Sequence, residues 1–377
     1  MTIEDFSKSK IFKFPTERDN EDFPVFISNL LDEYFKLLVQ IEDSIIDELK
    51  PNFETIKELI ENLKQTVNFY YTGQVNKSYL EFKNGLNLIK QFLWLEDTNL
   101  LIVRSEECEA VSKKHYFKSR MSYGKGLPKN EMFIRPFEQR ENIETYRYSI
   151  PGLPCLYLSN SIYGNWTELN CPDINLLQVS RFEVSNEIKK LHFEFDFSFF
   201  WKSRVLSINK TINNKLLVRY LTYFPIHLLC NIKVKNREAI FKPEYIFPQF
   251  IMQWISENDI NCVQYISTQL DFNHFDNKMF FYFCNVAIPA KTTNKSGYCS
   301  YLKKEIKLTD SISWATLLAS YPDLKFPSKE KKTFDCLTKS LQEIEIIKNQ
   351  KVKYSDTIFG KMESFLVDNM EATNLPD

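Results

Sequence analysis

From Val25 onward an apolar residue returns every three or four positions. Phe26, Leu30, Tyr34, Leu37, Leu38, Ile41 and Ile45 share one side of a 3.6-residue period, with Asp and Glu opposite. The pattern predicts a helix from Val25 to about Lys50, stopped by Pro51-Asn52. A second helix is expected from about Glu54, with Ile56, Leu59, Leu63, Val67 and Tyr70 inward and Gly73 as its C-terminal cap. Tyr79, Phe82, Leu86, Ile89 and Leu93 mark a third. Residues 1–23, charged and broken by Pro15 with Pro24 just beyond, read as a loose arm. The three helices predict a small bundle, either packing on the rest of the chain or serving as a dimerisation or regulatory module.

Beyond about Leu100 the pattern changes. Arg104–Asn130 is charged and irregular, with Lys113-Lys114-His115 and Gly124-Lys125-Gly126, and reads as a linker or a flap. Short apolar runs follow at 132–137, 153–158, 176–184, 191–197, 216–230, 262–268 and 279–289, several β-branched, aromatic or alternating. They predict strands mixed with helices, with a clearer helix at Phe247–Glu257. From Pro327 a helix through Leu337, Leu341, Ile344 and Ile347 is expected, then a polar tail. The expected division is a helical N-terminal domain over 1–105, a linker or flap over 106–130, a catalytic domain over 131–325 and a C-terminal helix and tail over 326–377. The fold class is α+β, mixed sheets with flanking helices behind an α-helical N-terminal domain.

Composition narrows the function. A formal net charge of −1 over 377 residues gives no electrostatic case for nucleic acid or an anionic membrane. Only 8 glycines, with no G-x-G-x-x-G and no G-x-x-x-x-G-K-[ST], remove the main support for a Rossmann or P-loop site. The 8 cysteines lack a C-x-x-C pair, and the 4 histidines lack a ligand spacing, so reduced thiols and no metal are expected. With no secretory signal or spanning run, the expectation is a soluble cytoplasmic protein.

The densest chemistry lies in Arg147–Glu168, RYSIPGLPCLYLSNSIYGNWTE. Pro151-Gly152 signals a turn, Leu153–Leu158 a buried strand and Ser159-Asn160-Ser161 a helix start. Tyr157 then falls at a strand end and Glu168 about two turns into a helix beginning beside it. An arginine offers a fork of donors to phosphate, a tyrosine ring walls a pocket, and a carboxylate steadies positive charge at a sugar carbon or orients its attacker. That set suits a nicotinamide nucleotide, whose cationic leaving group needs no acid. Each residue alone also has an ordinary use: an arginine beside a turn at the surface, a tyrosine packed at a strand end, a solvated glutamate on a helix.

The joint pattern resembles the RES-domain toxins, a family named for an Arg-Glu-Ser triad. Its hallmark is an arginine just before an aromatic and a P-G turn, a tyrosine-bearing strand ten residues on and a helical glutamate eleven further. Arg147, Tyr157 and Glu168 match both spacings. FKPEYIFPQFIMQWI (241–255) and CVQYIST (262–268) resemble the family's later helix and Y-x-S strand, placing Ser267 at the serine position. Asn285 in FCNVAIP matches a family asparagine, and FIRPF resembles the opening strand, making Arg135 a second candidate arginine. The likeness covers roughly Glu131–Ala290. Tyr146 and Tyr148 stand where glycine and tryptophan are usual, and the distance from Glu168 to Ser267 implies an insertion near 185–240.

The resemblance implies an ADP-ribosyltransferase-like fold that consumes NAD+ as a substrate, inorganic phosphate serving as co-substrate if the bond is cleaved by phosphorolysis rather than hydrolysis. It implies Arg147, with Arg135, on phosphate groups, Tyr157 against the nicotinamide–ribose, Glu168 on the oxocarbenium-like ribose, and Ser267 on substrate or incoming phosphate. Tyr148 and Asn285 join as substrate-binding candidates. A growth-arresting toxin or phage-defence effector, an antitoxin or other regulatory partner and a homo-oligomer are expected on the same basis. Two alternatives stay open: an ADP-ribosyltransferase that modifies a protein, and a non-catalytic scaffold that binds a nucleotide or partner through the same cleft.

Overall fold

A computed structural model describes residues 1–93, 115–123, 126–195, 197, 210–270, 283–291, 294–325 and 343–376. The fold is α+β with a helical N-terminal region. It divides into two compact units: Met1–Leu95 with Tyr146–Tyr148 and Leu191–Asn258, and Glu96–Thr145 with Ser149–Lys190 and Asp259–Asp377. The whole stretch 94–114, with Lys113 and Lys114 in it, and the positions Gly124, Lys125, Leu337 and Leu341 lie outside the described residues.

The first unit is helical. The expected helix over Val25–Lys50 is two, Phe23–Leu38 and Ile45–Leu49. The break comes where Asp43 turns its carboxylate onto the Ile45 N–H at 3.0 Å and offers the backbone an alternative to the helix. Pro24 does not break anything; it sits in the first turn, where its missing N–H costs nothing. Phe53–Tyr71 and Val75–Leu88 follow, with Gly73 between them at φ +75°, the left-handed cap its position predicts. The segment read as a loose arm is packed. Thr2 caps a short helix over Ile3–Ser7, and Ile3, Phe6, Ile11 and Phe14 are buried. Apolar residues spaced among charges were enough to anchor it.

The run 216–230 belongs to a single helix, Lys210–Cys230, not to a strand. Leu217, Tyr220, Leu221, Tyr223, Phe224, Ile226, Leu228 and Leu229 are all buried, so this helix is apolar on every side and carries no periodic signature. Pro225 sits inside it and cannot donate to the Leu221 carbonyl. The hydroxyl of buried Tyr34 donates to that carbonyl instead. The Ile246–Glu257 helix forms as its periodicity predicts.

The second unit is built on a sheet. Its strands are β1 (His115–Met121), β2 (Cys155–Ser159), β3 (Leu177–Val184), β5 (Cys262–Ile266), β6 (Cys284–Pro289) and β7 (Ile306–Leu308); β4 (Lys190–Phe193) has only Lys190 in this unit, its other residues belonging to the first. β8 (Glu343–Ile347) and β9 (Gln350–Lys353) form a separate hairpin, and β10 (Thr373–Asn374) returns to the sheet. The sheet order is β10-β7-β3-β1-β2-β6-β5, and the pairings along it are antiparallel. β1 lies in the stretch read as flap or linker. FIRPF is not a strand: Lys129–Met132 is a helical turn and Phe137–Asn142 a 3-10 turn, since Pro136 has no N–H to give a sheet.

Two corrections fall at the C-terminus. Ile344 and Ile347 belong to β8, not to a helix, and the hairpin turns at Asn349 with φ 63°. The expected polar tail holds a helix, Ile358–Asn369, whose Phe359, Met362, Leu366 and Val367 are buried.

Register decides what the sheet presents. Leu156 and Leu158 of β2 pair with Ile288 and Val286 of β6, and all four enter the core with Tyr116, Phe133, Phe182 and Leu302. Because side chains alternate, the opposite face carries Tyr157 and Ser159 of β2, Ala287 and Asn285 of β6, and Tyr265 of β5. The polar residues share that second face.

Candidate active site

The path to Glu168 is set by local chemistry. Ile150-Pro151-Gly152-Leu153 closes a turn, with Leu153 N–H donating to the Ile150 carbonyl at 3.0 Å and Gly152 at φ +73°. β2 follows, and Asn160 ties its end to β6: Asn160 N–H reaches the Cys284 carbonyl, while Asn160 Oδ1 accepts from Cys284 N–H at 2.9 Å. Ser161 then caps the helix Ile162–Glu168, its hydroxyl accepting from Gly164 N–H at 2.9 Å. A side chain at Gly164 would strike Ser159 Oγ and Ser161 Oγ, so glycine lets the helix start hard against the strand end. The helix stops after Glu168, where Asn170 and Cys171 both take positive φ.

Glu168 is exposed, but its supports are not. Ser267, one residue beyond β5, is 1 % exposed and donates to Glu168 Oε1 at 2.6 Å. Asn285 of β6 is 5 % exposed, and its Nδ2 donates to the same oxygen at 2.8 Å. Gln269 N–H donates to Ser267 Oγ at 3.1 Å, which occupies the serine's acceptor side and leaves its hydrogen for the carboxylate. The result is a carboxylate held in one orientation at the surface by two buried donors. Such a group can stabilise a cationic centre or orient an attacking oxygen without first reorganising.

Tyr157 is half-buried on the same sheet face, opposite Ala287. It shares a hydrogen bond with the Cys155 thiol, which burial pushes up to about 12. Arg135 is exposed and lies elsewhere in this unit. With Arg120, Asn130, Glu131, Ile134, Gln139 and Tyr298 it lines a cavity of about 380 Å³ that includes none of Tyr157, Glu168, Ser267 and Asn285. Its Nη1 makes a long 3.4 Å contact to Gln139 Oε1.

Arg147 and Tyr148 belong to the first unit. Arg147 is 9 % exposed; its Nη1 donates to the Cys230 carbonyl at 3.1 Å and its Nη2 to the Ile232 carbonyl at 2.8 Å. There it caps the C-terminus of the Lys210–Cys230 helix, where carbonyls lack helical partners and positive charge is favoured. Its guanidinium also lies 5.6 Å from the Tyr245 ring centre. Tyr148 is buried and bonds the Cys230 thiol, which burial raises to about 12.

Sequence reasoning overlooked the floor beneath the Glu168 helix. Glu363, fully buried, accepts from Ile162 N–H at 2.7 Å and from Tyr354 Oη–H at 2.5 Å. Phe359 meets Tyr163 and Trp166, each with ring centres 5.3 Å apart. The signal was present: Thr357 as cap, then Phe359, Met362 and Leu366 at helical spacing, in a stretch whose charge disguised it. Among the described residues no cluster of His, Cys, Asp or Glu could hold a metal ion, and no helix is long and apolar enough to cross a membrane.

These features define an α+β protein with a braced surface carboxylate on the polar face of an antiparallel sheet. No protein-family model matches the chain, and no solved structure matches it. It is 30 % identical over 313 residues to a Bacillus subtilis (strain 168) protein named "Putative toxin YopC", covering 80 % of this chain and 68 % of that protein. The chain belongs to the family of that Bacillus subtilis protein.

Proposed function

We propose that the chain is a toxin of the RES type, with an ADP-ribosyltransferase-like fold, that cleaves the nicotinamide–ribose bond of NAD+. One observation carries the reading: Glu168, Ser267 and Asn285, drawn from three distant parts of the sequence, converge on one carboxylate oxygen. The toxin name of the Bacillus subtilis relative supports the biological half of it.

In this reaction the C–N bond between ribose and nicotinamide breaks, nicotinamide leaves with the electron pair as a neutral molecule, and positive charge develops on the ribose. Glu168, held by its two donors, faces that charge. Water or inorganic phosphate then forms the new bond to the ribose carbon and gives up a proton, yielding ADP-ribose or its phosphate ester. Tyr157, on the same sheet face, walls the ribose end. NAD+ is a substrate here, not a resident cofactor. A toxin of this kind acts in the cytoplasm and needs a restraining protein partner.

The test is incubation of the purified chain with NAD+, with and without inorganic phosphate, following nicotinamide release beside a Glu168→Gln control. Phosphate-dependent release that the control abolishes is expected of a phosphorylase, and phosphate-independent release of a hydrolase. ADP-ribose appearing on protein in a lysate would make the chain a transferase. No release under any of these conditions would sink the enzymatic reading and favour a scaffold.

A further inference from the structure

The Ile162–Glu168 helix is seven residues long and closes few hydrogen bonds of its own, so its position is imposed from outside. Asn165 Nδ2 donates to the Phe117 carbonyl at 2.9 Å, and Trp166 Nε1 to the Pro172 carbonyl at 2.8 Å. Phe359 packs beneath Tyr163 and Trp166. At the start of the helix stands a buried carboxyl group. Glu363 is 0 % exposed, and its Oε1 takes both the Ile162 N–H and the Tyr354 hydroxyl.

A carboxylate buried this completely is costly unless it is hydrogen-bonded. Its placement fits the job: the first N–H of a helix has no partner within the helix, and negative charge is favoured there. Glu168 lies six residues on, about 9 Å along the axis at 1.5 Å per residue. A slip of the helix by about 1 Å would carry Glu168 out of hydrogen-bond range of Ser267 or Asn285.

We propose that Glu363, held by Tyr354, is a positioning residue for Glu168: it fixes the Ile162–Glu168 helix along its axis and so sets where the Glu168 carboxylate meets Ser267 and Asn285. The catalytic consequence rests on the NAD+-cleavage reading; the geometric one does not. Two readouts keep them apart. The first is the titration of the Glu168 carboxyl by NMR with carboxyl-13C glutamate, its resonance assigned by loss in Glu168→Gln. The second is nicotinamide release.

Glu363→Gln is expected to shift the Glu168 midpoint by about half a pH unit or more. It is also expected to lower kcat roughly tenfold with KM little changed, because it disturbs a group acting in the transition state and not substrate binding. Tyr354→Phe, which leaves the Ile162 bond in place, should shift both readouts in the same direction but less, and carries the test if Glu363→Gln fails to fold. A Glu168 titration that superimposes on wild type in a folded variant overturns the proposal. If the wild type releases no nicotinamide, the NAD+ reading fails, and the titration alone decides the positioning role.

Discussion

Ser267 donates to Glu168 Oε1 at 2.6 Å across 99 residues of sequence, and the serine is buried while the carboxylate it holds is exposed. Strand β5 delivers the serine and the helix after β2 delivers the glutamate, so the bond reports that the β2-β6-β5 part of the sheet is correctly assembled. Ser267→Ala removes one of two donors to Oε1 and frees the carboxylate to rotate. On the proposed reading, kcat for nicotinamide release is expected to fall roughly ten- to a hundredfold. Asn285→Ala should do the same, and the double variant little more, because the two donors act as a unit. Unfolding midpoints measured alongside should move far less than the rates.

Much of this site was legible because its signals are local or repeat at fixed spacing. Pro151-Gly152 demands its turn, Ser161 its helix start, and the alternation of β2 and β6 settles which face Tyr157 and Asn285 occupy. What could not be read depends on tertiary partners. The Lys210–Cys230 helix is buried all round, so its apolar run has no period to distinguish it from strands. Glu363 looks like any charged residue of a tail until Ile162 and Tyr354 are brought to it. Arg147 shows the converse: its spacing singled it out, and its two Nη groups turn out to cap a helix whose end lies more than eighty residues away.

Tyr34 holds the kink-prone point of that long helix. Pro225 leaves the Leu221 carbonyl without its helical donor, and Tyr34 supplies a hydroxyl in a fully buried setting. Tyr34→Phe keeps the ring and its packing against Phe224 but strands the carbonyl. The expected loss is about 1–3 kcal/mol of stability, read as a lower urea midpoint with an unchanged slope. A double variant that also replaces Pro225 with Ala, restoring the backbone donor, should recover much of that loss.

Gly360 has no room for a side chain. An added Cβ would lie 2.2 Å from the Tyr354 carbonyl oxygen and 2.8 Å from Ser355 Cα, both backbone atoms that cannot swing aside. Gly360→Ala is therefore expected to cost about 1–3 kcal/mol by displacing the Tyr354 turn from the Ile358–Asn369 helix. Gly73→Ala offers a contrast. Its φ of +75° is strained for alanine but nothing lies within 4 Å, so about 1 kcal/mol is expected. Thermal unfolding of the two variants side by side checks the order, Gly360→Ala the lower.

His227 makes stability depend on acid. Its ring is fully buried, with Nε2 3.0 Å from the Phe193 carbonyl oxygen and Nδ1 3.2 Å from Tyr220 Oη. Burial pulls its pKa down from 6.5 to about 4, against smaller opposing contributions from the Phe193 carbonyl and Glu194. Between those values the unfolded chain takes up a proton that the folded chain refuses. Stability from this group is thus complete above about pH 6.5 and is lost as pH falls towards 4, by roughly 2–3 kcal/mol at pH 4.5. Urea unfolding at pH 7.5 and 4.5 measures the difference. His227→Gln, which cannot titrate, should start less stable at pH 7.5 and lose roughly 2–3 kcal/mol less than wild type between the two; an equal loss in both proteins would assign the acid sensitivity to other groups.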